Sequence, residues 1–178
     1  MAVEQNIQIT INKAKQGNED ALKWLYNSYN KAMYNICLRM LNNKDDAADL
    51  LQDCFIIAFK NLHQLKDEKQ FGGWLKRIVI NECIRHCKKR LNYNEWNEGY
   101  NEIILEDEKH WWQDISIQRL NYCIHNLPDG CKQIFSLYAI EDLSHKEIAS
   151  LLNISESTSK SQYHRAKKLL REHILNLK

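Results

Sequence analysis

Ser157, Lys160, Ser161, His164, Lys167, Lys168 and Arg171 fall at spacings that put them on the outer side of one helix. Hydroxyls, ammonium groups and an imidazole gathered there are donors that can meet base edges and phosphates. The chain just before them supplies a frame. From Leu143 to Arg171, LSHKEIASLLNISESTSKSQYHRAKKLLR reads as a helix, a four-residue turn and a second helix. Ser144 and Glu147 form a capping box at the start of the first. Ile148, Ala149, Leu151 and Leu152 face inward from it, Asn153-Ile154 makes the turn and Ser155 caps the second helix. Ser159, Tyr163, Ala166 and Leu170 line that helix's inner face. A helix-turn-helix of this kind places its second helix in a DNA major groove.

A second set of side chains could act on a nucleic acid in another way. Phe71, Trp74, Lys76, Arg77, Asn81 and Arg85 interleave aromatic and basic groups on one expected helix, just after the charged loop HQLKDEKQ. Aromatic rings stack on bases and cations hold phosphates, a combination suited to a single strand. Core packing is the competing use for Phe71 and Trp74. A third set, Asp49, Gln52 and Asp53, shares one exposed helix face through spacings of three and four. Such a face suits a basic partner, or simply water. Cys83, His86 and Cys87, with Cys123, His125 and Cys131, fit no paired-cysteine zinc spacing. No metal or other cofactor is expected, and the six cysteines read as reduced thiols. No phosphate loop, paired-carboxylate signature or Ser-His-Asp pattern is present, so an enzyme is not expected.

The elements that must position these groups are all helical. In 178 residues, five Gly and one Pro leave little for β-turns, while 44% hydrophobic residues suffice for a core. The periodicity predicts helices over 7–16, from Asn18 to Asn42-Asn43, over Lys44–Leu62 and over Phe71–Arg90, then helices resuming near Asp114. Pro128 should open a new helix at its first position, with Ile134, Phe135 and Tyr138 in the core. Residues 91–113 show no period and read as a linker. Charge divides the same way. Residues 1–90 hold 15 Lys/Arg against 10 Asp/Glu, residues 91–114 one against seven, and residues 115–178 nine against six. Two basic blocks flank an acidic one, as expected of two nucleic-acid-facing modules on a tether. The polar start, MAVEQNIQIT, and the lack of any apolar run near the roughly 18 residues of a membrane span predict a cytoplasmic protein without membrane insertion.

Two blocks carry a resemblance. Residues 46–90, DAADLLQDCFIIAFKNLHQLKDEKQFGGWLKRIVINECIRHCKKR, resemble region 2 of bacterial sigma factors, and residues 127–171, LPDGCKQIFSLYAIEDLSHKEIASLLNISESTSKSQYHRAKKLLR, resemble region 4. Their order and spacing are similar to the extracytoplasmic-function (ECF) group, which lacks regions 1.1 and 3. The resemblance implies an all-α protein of two helical domains: region 2 over 1–92, an acidic linker over 93–113 and region 4 over 114–178. It implies an alternative sigma factor that takes core RNA polymerase to promoters and melts them, a monomer when free, commonly held by an anti-sigma factor. Asp49, Gln52 and Asp53 would dock on the polymerase clamp. Asn61, Lys66, Phe71, Trp74, Lys76, Arg77, Asn81 and Arg85 would serve the minus-ten element, where the loop over Asn61–Gln70 captures a flipped base. Ser157, Lys160, Ser161 and His164 would read the minus-thirty-five element, with Thr158, Arg165, Lys167 and Lys168 on the backbone. Glu102, Glu106, Asp107 and Glu108 would follow the path of nascent RNA, and Trp111-Trp112 would anchor on a partner or begin the region 4 core. Three departures from the family pattern stand out: Ser159 where an aliphatic residue is usual, Gln162 where Arg is frequent and Asn153 where Gly is frequent. Gly72-Gly73 adds two flexible residues beside the loop. The alternative is a stand-alone helix-turn-helix regulator that binds duplex DNA as a dimer.

Overall fold

The structure, a computed structural model, describes residues 2–90 and 116–176, so the expected acidic linker and its tryptophans lie outside the described residues. Two compact units appear, Met1–Cys87 and Lys88–Lys178. Every regular element among the described residues is helical.

In the first unit α1 covers Ala2–Lys15, α2 Glu19–Leu41, α3 Lys44–Lys60 and α4 Phe71–Arg90. α1 starts earlier than the periodicity over 7–16 predicted. The breaks between helices are set by local chemistry. Gly17 takes a positive φ of 81° just past α1, a backbone that glycine adopts without a Cβ clash. Asn18 caps α2, its Oδ1 accepting the Ala21 N–H at 2.9 Å. At the Asn42-Asn43 break the two asparagines divide the work. Asn42 closes α2 in the left-handed region, and Asn43 caps α3 by accepting the N–H groups of Asp45 and Asp46.

α3 turns one helical face inward: Ala47, Leu50, Leu51, Cys54, Phe55 and Ala58 are buried, with Leu62 just beyond. α4 buries Leu75, Val79, Ile80, Cys83 and Ile84. Gly72 has a packing reason: a Cβ there would sit 3.1 Å from the Tyr29 ring, so α4 starts against α2 more closely than a larger residue allows. Cys37, Cys54, Cys83 and Cys87 are all buried and free. Burial and neighbouring thiols hold Cys54 and Cys83 far above the ordinary thiol value. They act as small core residues, and no group of three or more metal-ligating side chains occurs among the described residues.

In the second unit α5 covers Ile117–His125, α6 Asp129–Phe135, α7 His145–Leu152 and α8 Glu156–Asn176. Pro128 sits at the N-cap of α6, one place earlier than expected, where its carbonyl accepts the Lys132 N–H at 2.9 Å. After α6 the backbone widens into a π-turn over Ser136–Ile140, which no sequence signal announced. Asp142, at a φ of 59°, then reverses the chain into α7. α7 starts on the expected capping box, with the Ser144 N–H donating to Glu147 Oε2 at 2.8 Å and the Glu147 N–H to Ser144 Oγ at 3.3 Å. Asn153 ends it at a φ of 58°, so asparagine fills the left-handed position that glycine often takes. Ser155 Oγ accepts the Thr158 N–H at 2.9 Å and caps α8. No helix among the described residues is long and apolar enough to cross a membrane.

Candidate nucleic-acid and polymerase interfaces

Three surfaces carry the expected site residues. The first is the outer stripe of α3. Asp49, Gln52 and Asp53 are exposed there, without a hydrogen bond or ion pair among the described residues. Ile56 continues the stripe one turn on and is 50% exposed. Sequence reasoning missed it, although the three- and four-residue spacing that groups the acids also reaches it. An apolar side chain beside carboxylates gives this face both an area to desolvate and charges to pair.

The second is a cavity of about 470 Å³ walled by the loop before α4 and by the start of that helix. Its lining is Gln64, Leu65, Lys66, Asp67, Gln70, Gly73, Trp74 and Arg77. The loop is two 3-10 turns, Leu62–Gln64 and Glu68–Gln70. Asp67 caps the second by accepting the Lys69 N–H at 3.0 Å. Of the residues expected to serve DNA here, Lys66, Trp74 and Arg77 line the cavity. Lys66 and Arg77 are exposed cations without an ion pair among the described residues. Trp74 is half-buried, its ring centroid 6.0 Å from that of Phe71. Asn81 and Arg85 carry the stripe onward from Trp74 and Arg77 at helical spacing, both exposed. Arg85 also pairs with Glu82 at 3.0 Å. Lys76 is half-buried and stands beside this stripe.

Phe71 and Asn61 lie outside the lining. Phe71 is fully buried, its ring edge-on to Tyr29 at 5.1 Å, so it belongs to the core behind the cavity. Being the first residue of α4, it is turned into the helix pair by the same close approach that needs Gly72. Asn61 is not in the lining either. Its amide donates to the Ile57 carbonyl at 2.8 Å and its Oδ1 accepts from Gln64 at 3.0 Å, which ends α3 and starts the loop. Gln64, Leu65, Asp67, Gln70 and Gly73 were missed as lining residues. Their loop was legible as such, but which of its side chains turn inward depends on the two 3-10 turns.

The third surface is the outer side of α8. Ser157 and Lys160 are exposed, and Thr158, Ser161, His164 and Arg165 are half-exposed. Lys160 pairs with Glu156 at 2.8 Å. Ser157 Oγ lies 2.7 Å from Ser155 Oγ, and Ser161 Oγ donates to the Thr158 carbonyl at 3.0 Å. Lys168 is exposed. Lys167, expected on the outer side, is only 6% exposed, its ammonium 5.2 Å from the Tyr163 ring centroid. Its long stem lies along the aromatic cluster, and the ring face attracts the cation. Leu151, expected inside, is half-exposed. Gln162 is buried and accepts from the Cys131 thiol at 3.1 Å.

Ser159 proves to be a built feature. It is fully buried, and its hydroxyl shares a 2.9 Å hydrogen bond with Nδ1 of His145 on α7. The His145 ring stacks on Tyr138 at 4.1 Å and meets Tyr163 edge-on at 5.7 Å. A polar pin thus replaces an aliphatic contact between the two helices. Burial, then the nearby Lys160 ammonium, holds the His145 imidazole below its ordinary value, with Glu156 opposing. The folded protein therefore favours the neutral ring. Stability is full above the unfolded value of about 6.5 and declines as pH falls from there toward the lower folded value. Thermal melts of the full chain from about pH 8 to pH 5.5 should show this loss, and His145→Gln should flatten the slope. An unchanged slope would remove His145 as its source.

Comparison with known proteins identifies the family of the two units. Residues 25–92 match Sigma-70 region 2, and residues 117–170 match Sigma-70, region 4. The ECF RNA polymerase sigma factor SigW of Bacillus subtilis is 30% identical over 98% of this chain and 100% of its own. The chain belongs to the ECF RNA polymerase sigma factors. An ECF RNA polymerase sigma-E factor of Haemophilus influenzae is 24% identical over 98% of each chain. Among solved structures, CnrH in complex with the cytosolic domain of CnrY aligns with a TM-score of 0.54 at 22% identity, covering 96% of this chain and 97% of that one. The sigma factor RpoE of Bartonella quintana, solved with the anti-sigma factor NepR, gives 0.54 at 19% identity, over 85% and 95%. These two show the shared fold. As an ECF sigma factor the protein is an alternative sigma factor acting in promoter-specific transcription initiation, and the stand-alone regulator reading is set aside by the region 2 match.

Proposed function

We propose how this ECF sigma factor divides its work among the three surfaces. The α3 stripe of Asp49, Gln52, Asp53 and Ile56 docks on a basic face of core RNA polymerase. The cavity beside α4 takes one unstacked base of the minus-ten element, with Trp74 offering a ring and Lys66 and Arg77 the phosphate contacts. Asn81 and Arg85 carry the strand's backbone along α4. The observation behind this reading is the cavity itself. An aromatic ring, two cations and amide groups from Gln64 and Gln70 surround a space of about 470 Å³, ample for one base. Taking a base from the stack costs on the order of a few kcal/mol, which stacking and phosphate contacts offset.

α8 reads the minus-thirty-five element through Ser157, Lys160, Ser161 and His164, with Thr158, Arg165 and Lys168 on phosphates. The Lys160–Glu156 pair is exposed to solvent, so Lys160 can exchange it for DNA at little cost. Lys168→Ala should weaken promoter binding alike for all sequences and lower the salt slope by about one. A loss confined to one promoter position would give Lys168 a base-reading role instead. The phosphodiester chemistry belongs to the polymerase, and the protein acts in the cytoplasm. By similarity to the solved relatives, a cognate anti-sigma factor holds it inactive.

Run-off transcription by the purified chain with core polymerase from a related bacterium tests the whole reading. Promoter-dependent transcripts that need both partners support it. Tight dimeric binding to duplex DNA, with no polymerase association, would overturn it.

A further inference from the structure

We propose that Lys15, on the N-terminal helix α1, is a positioning residue for the base-capturing loop. The inference rests on the assignment of the cavity to an unstacked minus-ten base.

The loop's two 3-10 turns are closed by their own backbone bonds: Gln64 N–H to the Asn61 carbonyl at 2.9 Å, Leu65 N–H to Leu62 at 3.2 Å and Gln70 N–H to Asp67 at 3.0 Å. None of these bonds spans the joint between the turns, where Lys66 and Asp67 sit, and both of those residues line the cavity. Lys15 spans that joint from outside. Its ammonium donates to the Leu65 carbonyl at 3.0 Å on one side and to Glu68 Oε1 at 2.7 Å on the other. One side chain from fifty or more positions away therefore holds both ends of the segment that presents Lys66 and Asp67. The pair is partly withdrawn from water, with Lys15 24% and Glu68 22% exposed. Hydrogen bonding from Lys15 keeps the Glu68 carboxyl below its ordinary value, which favours the carboxylate that accepts the bond. Gly17 ends α1 two residues on, which fixes Lys15 in the last turn.

A clamp on the loop backbone sets cavity shape without touching the base. Its loss should damage recognition of the captured base more than binding of the rest of the strand. The probe is a fluorescent single strand carrying the promoter's mapped minus-ten element, compared with copies made abasic at each position in turn. Holoenzyme with the wild-type chain should show one position where the abasic copy binds at least about fivefold more weakly. If no position does, the cavity reading itself fails. Given that position, Lys15→Met, which keeps the stem and removes the donor, should shrink the difference to under about twofold. Glu68→Gln should shrink it partly, and Lys15→Arg should restore it. Core-polymerase binding should stay at the wild-type level in each variant. An undiminished intact-to-abasic ratio in Lys15→Met overturns the proposal, as does an equal weakening for both strands. If Lys15→Met does not fold, an undiminished ratio in Glu68→Gln overturns it equally.

Discussion

Trp74→Ala is expected to slow open-complex formation by about tenfold or more while leaving association with core polymerase unchanged. Stacking of one base on an aromatic ring contributes about 1–3 kcal/mol, and Trp74 is the aromatic side chain in the cavity lining. Because its ring also lies 6.0 Å from Phe71, the substitution should cost some stability, on the order of 1–2 kcal/mol for a half-buried ring. Trp74→Phe keeps a stacking face and should recover most of the rate. Permanganate footprinting on a linear promoter follows the melted bases directly. A premelted template should rescue Trp74→Ala, since the unstacking cost has already been met. If both templates respond equally, the ring's role is structural. Phe71→Ala provides the contrast. It empties a fully buried site, so it should lower the melting temperature of the whole chain before it changes base selectivity.

The double variant Asp49→Ala/Asp53→Ala should lose co-elution with core polymerase in gel filtration. Each charge that becomes buried and hydrogen-bonded at an interface costs about 2–5 kcal/mol when removed. Two removed together predict an affinity loss of at least about a thousandfold. The fold should be unharmed, because both carboxylates are exposed and neither has a partner among the described residues. Ile56→Ser tests the missed part of the same stripe. It should weaken docking by a smaller factor, because it removes apolar area and leaves both charges in place. Full co-elution of the double variant at physiological salt would move the docking site off α3.

The helix boundaries were legible because they are local. Asn42-Asn43, Ser144 with Glu147, Asn153 and Ser155 each satisfy backbone groups within a few residues, and each does so in the structure. The buried stripe of α3 was legible for the same reason, since helical period assigns a face before any partner is known. Lys167 and Phe71 show where that logic stops. Period places Lys167 on the outer side, and only the Tyr163 ring beside it turns its stem inward. Phe71 follows a loop and opens a helix, so either use of its ring was open until the Tyr29 contact decided it.

Ser159 was noted as a departure from the family pattern, and its partner could not be read. His145 lies fourteen positions earlier and meets it only when α7 folds back on α8. The same holds for Lys15, whose grip on the Leu65 carbonyl and Glu68 joins segments fifty residues apart.

The sequence by itself determined that this chain is helical, where most helices begin and end, and which family it joins, because caps, helical period and motif spacing are short-range properties. Only the tertiary structure decided which loop side chains line the cavity, which cations are withdrawn from the surface and which distant groups hold the loop and the recognition helix in place. Those depend on what covers each face, and a hydrogen bond between residues far apart leaves no periodic trace in the chain that makes it.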